Sequence, residues 1–264
     1  MMADTMATFA AFSLELLSPL HLGSRRAGVV AQSHRHAPGH LFVHGLAAAV
    51  GAARGGSPEN FAEALAEIMQ RLRFGPAFFI DGGRRLDDAE VGRRLLASSH
   101  HVTLDGGTRS AVESALFEVE QLSVPAGSGI RLCGGVWFDE DRLDAQPLRD
   151  WLSIIRLGGE IKTGCGHVRC DLWQRDALRY PGIAAADGTG VHLAAGELLP
   201  GAAVDGVVGV PLQPWLGRRH DPKLGFGRRL SQAVLVKVDG RSQRDARFLP
   251  CNSGPVTGCW EAVV

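Results

Sequence analysis

Residues 157–168 read Leu-Gly-Gly-Glu-Ile-Lys-Thr-Gly-Cys-Gly-His-Val. Gly158, Gly159, Gly164 and Gly166 fall within nine positions, with Lys162 between them. Glycine tolerates positive φ and lets a second backbone approach closely. Exposed amides in such a loop can converge on an anion, and a lysine supplies a point charge suited to phosphate. The same letters also describe a helix stop followed by a turn, and both readings are open on the loop alone.

Working outward, the loop follows an apolar run at about 146–156 that reads as a helix (Leu148, Trp151, Leu152, Ile154, Ile155). It precedes a strand from His167 to Trp173. Upstream, Ile130–Phe138 is an apolar strand bounded by Gly129 and Asp139. His101–Leu104 and Ala115–Leu122 flank the turn Asp105-Gly106-Gly107 and predict a long hairpin near 100–122. Asp87–Ala97 is a short amphipathic helix and Ala77–Asp81 a short strand. Phe61, Leu65, Ile68 and Leu72 keep helical spacing behind Pro58, a residue suited to a first helical turn. Leu41–Ala53 is a helix of small and apolar residues. Phe9–Leu17 is the first strand, left through Ser18-Pro19-Leu20-His21-Leu22-Gly23, and residues 24–40 read as a polar, basic loop. Strand, helices, strands, helix, strand is the order of an α+β domain with a mainly antiparallel sheet. Residues 176–264 hold no long helix, only short β-rich runs (Gly206–Val210, Ala233–Val238, Trp260–Val264). The expected division is therefore 1–175 and a β-rich lobe at 176–264.

The 264 residues carry 28 basic and 28 acidic side chains, a formal net charge of zero. Neutrality argues neither for nor against nucleic acid, but the distribution is uneven. Acidic residues gather at 81–90 and 139–150, leaving basic patches at 24–36, 156–169 and 217–229. Lys162, Lys223 and Lys237 are the only lysines, so the positive charge is almost all arginine, the better fork for phosphate. Cys133, Cys165, Cys170, Cys251 and Cys259 are odd in number and form no C-x-x-C pair, which argues for reduced thiols and against a zinc site. No run approaches the roughly 18 apolar residues of a membrane span. The N-terminus lacks a basic-then-apolar leader and reads as a retained start, so the expected location is cytoplasmic.

Three segments carry candidate chemistry. Ser18–Arg26 ends in a glycine turn with Arg25 and Arg26, a backbone-phosphate clamp or a solvated loop. His34, His36, His40 and His44 follow, the last two four residues apart at a helix start. That spacing is compatible with a metal, but no acid or cysteine accompanies them between Leu16 and Arg54. One of them could instead act as a general base. Trp215–Leu230 interleaves Arg218, Arg219, Lys223, Arg228 and Arg229 with glycine and the aromatics Trp215 and Phe226. Basic groups track a phosphate backbone while rings stack on bases; a surface loop with both rings in the core is the alternative. The common nucleophile-elbow, Walker A, zinc-protease and dinucleotide fingerprints are absent.

Four segments in this order resemble the RAMP (repeat-associated mysterious protein) superfamily of CRISPR-associated proteins. They are Ser18-Pro19-Leu20-His21-Leu22-Gly23; Pro38-Gly39-His40-Leu41 running on to Gly45-Leu46; Asp105, Thr108 and Ala111 with Leu116-Phe117 and Glu120; and Gly158-Gly159 with Gly164-Cys165-Gly166-His167-Val168. The match spans about residues 9–173. It implies a ferredoxin-like (RRM-like) antiparallel sheet with helices on one face, and a role in a type III-like antiviral ribonucleoprotein. The partners implied are a CRISPR RNA, target RNA indirectly, other RAMP subunits and a large signature subunit; no cofactor or metal is implied. Backbone subunits of the family cut target RNA with an aspartate in the loop after the first strand, and 18–40 here contains no Asp or Glu. Processing endonucleases use a histidine in the first half, for which His21, His34, His36 and His40 are candidates. Their glycine loop lies near the C-terminus, whereas here it is far from it. The subunit that caps the 5′ end of the guide carries a β-rich second part, as this chain does. The expectation is thus a non-catalytic guide-RNA grip. Its contacts would be His21, Gly23, Arg25, Arg26 and Arg35 from the first segment. The glycine loop and its exit add Gly158, Gly159, Lys162, Gly164, Gly166, His167 and Arg169, and the five basic residues of 217–229 complete the set. A specialised guide-backbone subunit and a histidine endoribonuclease are the alternatives.

Overall fold

A computed structural model of the chain describes residues 8–215, 218–221, 225–229 and 234–263. In the first part the strands are β1 (Thr8–Leu16), β2 (Gly23–Ala27), β3 (Val30–Ser33), β4 (Leu72–Phe74), β5 (Phe78–Asp81), β6 (Arg84–Arg85), β7 (Leu96–Leu104), β8 (Ala111–Leu122), β9 (Arg131–Phe138), the pair β10 (Arg142–Leu143) and β11 (Gln146–Pro147), and β12 (Val168–Arg175). The helices are α1 (Gly39–Ala53), α2 (Pro58–Arg71), α3 (Asp88–Arg94) and α4 (Leu148–Leu152). The main sheet runs β12-β1-β9-β5-β6, with every pairing antiparallel. Fourth strand, first, third, second is the ferredoxin-like order, so the α+β expectation holds in its topology.

Period-two alternation along β1 explains why this strand is central. Ala10, Phe12 and Leu14 point to the helical face, where Phe42, Leu46, Ile68, Trp151 and Leu152 cover them. Phe9 and Ala11 point to the opposite face. Helix starts are fixed locally: Ser57 accepts from the Asn60 amide ahead of α2, and Asp87 and Glu90 form a reciprocal capping box on α3.

In an RRM the face opposite the helices is open and stacks RNA bases. Here it is closed. Strands β13 (Ala186–Asp187), β14 (Gly190–Leu193), β15 (Leu198–Ala203), β16 (Val207–Val208), β17 (Leu212–Trp215), β20 (Val234–Ser242), β21 (Ala246–Pro250) and β22 (Trp260–Val263) build an eight-stranded sheet against it; β18 (Arg218–Asp221) and β19 (Gly225–Arg229) form a separate hairpin. Phe9, Trp137, Tyr180 and Trp260 form the contact: ring centroids lie 4.7 Å apart for Phe9–Trp137 and 5.3 Å for Tyr180–Trp260. Each polar handle is satisfied. The Tyr180 hydroxyl donates to the Pro76 carbonyl at 2.6 Å, and the Trp260 and Trp137 indoles donate to the carbonyls of Pro200 and Asp187 at 2.9 and 2.7 Å.

Two expectations are corrected. Residues 24–40 are not a loop: β2 and β3 form a hairpin that joins β8 and β7 in a four-stranded sheet, β3 pairing with β8 in parallel. The helix expected over about 146–156 has only five residues, Leu148–Leu152, because the chain must turn at once into the glycine loop. The predicted hairpin is longer than the sequence indicated, and Asp105 holds its tip by accepting from the Gly107 and Thr108 amides. All five cysteines are free thiols. Among the described residues no helix is long and apolar enough to cross a membrane.

Candidate nucleic-acid interface

The glycine loop is stitched to the exit of β1. Leu17 donates to the His167 carbonyl at 2.9 Å, Gly159 to His21 at 2.8 Å, Gly166 to Pro19 at 2.9 Å, and the His167 amide to the Ser18 hydroxyl at 2.9 Å. The amides of Gly164 and Cys165 turn inward to Ile161 and Glu160. These donors are therefore committed within the fold rather than converging on an anion. What the loop presents outward is Lys162 and the open space around Gly164. The adjacent Arg169 is exposed and pairs with Glu15 at 2.5 Å.

His21 is buried, and it ties this loop to a cleft. A Cβ on Gly159 would meet the His21 ring at 3.1 Å, and one on Gly23 would meet it at 3.2 Å. Its Nδ1 lies 2.8 Å from the Glu120 carbonyl oxygen. Gly23 and Glu120 both line a cleft of about 520 Å³ whose walls come from β2, β3, the starts of α1 and α3, β8, β17 and β20. Into it face Arg25, His34, Arg35, His36, His40 and Trp215, brought together from three separate stretches of sequence.

The charges are organised. The Glu120 carboxylate accepts from the Ser33 amide at 2.9 Å and from Arg35 at 3.1 Å, holding that guanidinium at the wall. Arg25 is steadied by the Gln32 amide oxygen at 2.7 Å. The rings form a continuous lining: Trp215 lies 5.6 Å from His34 and 5.9 Å from His40, and His34 lies 5.9 Å from His36. Burial holds the His36 imidazole below the usual histidine range, against the opposing pull of Asp239 and Asp88, so it is neutral near pH 7. Burial likewise raises the Asp88 carboxyl.

The structure thus joins Gly23, Arg25 and Arg35 with three of the four histidines, and places His21 behind them. Arg26 is exposed on β2 and is not part of the lining. Gly158, Gly159 and Gly166 support His21 and the strand exit rather than the cleft. Arg218 pairs in register with Arg229, and Arg219 with Arg228, on β18 and β19; Lys223 lies outside the described residues. The sequence reading noted that 18–40 carries no acid, but it missed that the fold imports Glu120 and Asp88 to face that segment. The motif containing Glu120 was legible; its destination was not. Among the described residues no group of three or more His, Cys, Asp and Glu could hold a metal ion; the rings of His40 and His44 lie 6.1 Å apart on α1.

The chain matches a chain in the cryo-EM structure of the Type III-B Cmr-beta bound to cognate target RNA and AMPPnP, at a TM-score of 0.53 and 10% identity, covering 96% of this chain and 99% of that one. The two share a fold. A second chain, from the structure of the Type III-B Cmr-beta bound to cognate target RNA, aligns at a TM-score of 0.43 and 13% identity over 64% of this chain and 60% of that one. No protein-family model matches the sequence, nor does any curated protein. At this coverage the first match takes in both the ferredoxin-like sheet and the eight-stranded sheet.

Proposed function

We propose that the protein is a subunit of a type III-like CRISPR effector ribonucleoprotein, and that it grips the guide RNA, in its 5′ region, without cutting it. The observation that carries this reading is the cleft of Arg25, Arg35, the three histidines and Trp215, in a chain whose fold is matched end to end by a chain of an RNA-bound Type III-B assembly. Single-stranded RNA is held by positive groups along its backbone and by rings under its bases. The RRM-type face is covered by the eight-stranded sheet, which favours the cleft and the basic surfaces beside it as the RNA path. Net neutrality suits a subunit whose acidic faces meet neighbouring proteins. Other RAMP subunits and a large signature subunit are the proposed neighbours, and the cytoplasm is the proposed location.

A second reading has its own support. His34, His36 and His40 share the cleft with Asp88, a set from which a metal-independent endoribonuclease could draw a general base. One experiment separates them. Purified protein is incubated with labelled repeat RNA in a chelator, at low and at moderate salt. Retention of intact RNA that weakens with salt supports the grip. Specific cutting that is lost in His34→Ala or His40→Ala overturns it in favour of the nuclease, and no retention at low salt overturns both.

A further inference from the structure

Two buried polar atoms in the lining of the cleft have no hydrogen-bond partner: Nε2 of His36 and Nε1 of Trp215. Both side chains are more than nine-tenths buried, with 8% and 7% of their surfaces exposed. A buried donor or acceptor left unsatisfied loses its hydration with nothing in return, so such atoms are uncommon in a folded protein. The other indoles in contact between the lobes, Trp137 and Trp260, both donate to a carbonyl, which makes Trp215 an exception within its own chain.

The surroundings define what would satisfy them. The rings of Trp215, His34 and His40 cluster on one side of the cleft, His34 tilted 38° and His40 84° to the indole, and offer faces and edges to an aromatic group. Arg25 and Arg35 stand on the β2–β3 side of the same cleft, Arg25 anchored by Gln32 and Arg35 by Glu120 and the Ser33 carbonyl, each suited by its guanidinium fork to a phosphate. The volume, about 520 Å³, falls in the roughly 300–1,000 Å³ range of small-ligand pockets rather than that of a groove tracking a long strand.

We infer that the cleft takes a single unpaired nucleotide, with the edge of its base hydrogen-bonded to Trp215 Nε1 and His36 Nε2, its face against the imidazoles of His34 and His40, and its phosphate at Arg25 and Arg35. This rests on the guide-binding reading for the source of the nucleotide, but the chemistry is shared by a nucleotide of RNA and by a free one. Trp215 Nε1 can only donate, so the base presents an acceptor to it; neutral His36 offers a donor or an acceptor at Nε2 according to its tautomer.

The test uses the full chain in two arms. In the first, single-stranded repeat RNA carries one abasic site, moved position by position, and affinity is read by filter binding. The expected result is a loss of at least tenfold at one position, and little change elsewhere. Trp215→Phe, which keeps a ring but removes the donor, weakens the intact RNA about tenfold and abolishes that position dependence; His36→Phe is the second variant. In the second arm the four nucleoside monophosphates are titrated. Saturable binding of one of them, weakened by either variant, with no position dependence in RNA, supports the pocket and assigns it to a free nucleotide. RNA that binds with equal tolerance of an abasic site at every position, and no saturable nucleotide binding, overturns the pocket while leaving the guide grip standing. Nucleotide binding without any RNA retention overturns the guide grip and leaves the pocket.

Discussion

A Cβ placed on Gly158 would stand 2.2 Å from the carbonyl oxygen of His21. Two backbones separated by more than a hundred residues are in direct contact there, and the contact is backbone to backbone, so no rotamer change relieves it. Gly158 also has φ +81°, where L side chains are strained. The glycine loop is thus, first, a clasp on the segment that carries His21, and His21 in turn backs the wall of the cleft.

Gly158→Ala is expected to destabilise the protein by about 3 kcal/mol, strain at positive φ contributing roughly 1–2 kcal/mol and overpacking roughly 1–3 kcal/mol. Gly164→Ala is the control: its φ is +96° but its Cβ would meet open space, so about 1–2 kcal/mol is expected. Chemical denaturation of the two variants checks this, and equal losses would remove the clasp from the account.

Tyr180→Phe removes the donor to the Pro76 carbonyl, a buried bond at 2.6 Å between the lobes. A loss of about 1–3 kcal/mol is expected from the orphaned carbonyl. Tyr180→Ala also deletes a ring packed on Phe9, Trp137 and Trp260 and should cost about 3–5 kcal/mol. Protease sensitivity at 186–263 would report release of the lobe; a variant as resistant as the parent would contradict the packing described here.

If the guide reading is right, Arg25→Ala and Arg35→Ala should each lower the slope of log affinity against log salt by about one, the signature of one lost phosphate contact. Lys162→Glu with Arg169→Glu tests the surface beyond the cleft, and reduced guide retention without unfolding is expected. An unchanged slope and unchanged retention would leave these four residues outside the RNA path.

The pH dependence of stability has a definite sign at His36. Burial lowers its folded pKa below the ordinary histidine value of about 6.5, so the unfolded chain binds more protons between those two values. Its contribution is complete above about 6.5 and is lost as pH falls through the window down to the folded value. The groups bearing on it are Asp88, Asp239 and Arg85. Thermal midpoints at pH 7.5 and 5.5 should differ more for the parent than for His36→Leu; the same difference in both would exclude His36 as a source.

The thiols give a chemical check on burial. Desolvation pushes Cys133 and Cys170 up to about 11 and Cys259 up to about 12. Native protein at pH 8 should alkylate slowly with iodoacetamide, and quickly once unfolded. Rapid native labelling of Cys259 would mean that the β-rich lobe opens.

Element order was legible because periodicity is local: the alternation of β1, the helical spacing behind Pro58 and the punctuation by glycine and proline act within a few residues. The hairpin hidden in 24–33 was not, because β2 and β3 are half-exposed strands with no apolar alternation, and they are held by pairing with β8 rather than by their own composition. The extent of the helix after Pro147 was misread for a related reason. Ile155 is buried, as a helix would bury it, but in the turn that leads into the glycine loop.

The sequence alone determined the antiparallel α+β architecture, the presence of a glycine loop and the arginine-borne charge, since backbone freedom, periodicity and ionisation belong to residues one at a time; that the loop clasps the His21 segment rather than cradling an anion was decided by the tertiary structure. Tertiary structure alone decided that the face open in an RRM is shut, that Glu120 and Asp88 stand opposite an acid-free segment, and that Trp215 meets His34 and His40. Those are contacts between residues far apart in the chain, and burial, desolvation and an unpartnered donor exist only once such residues have been brought together.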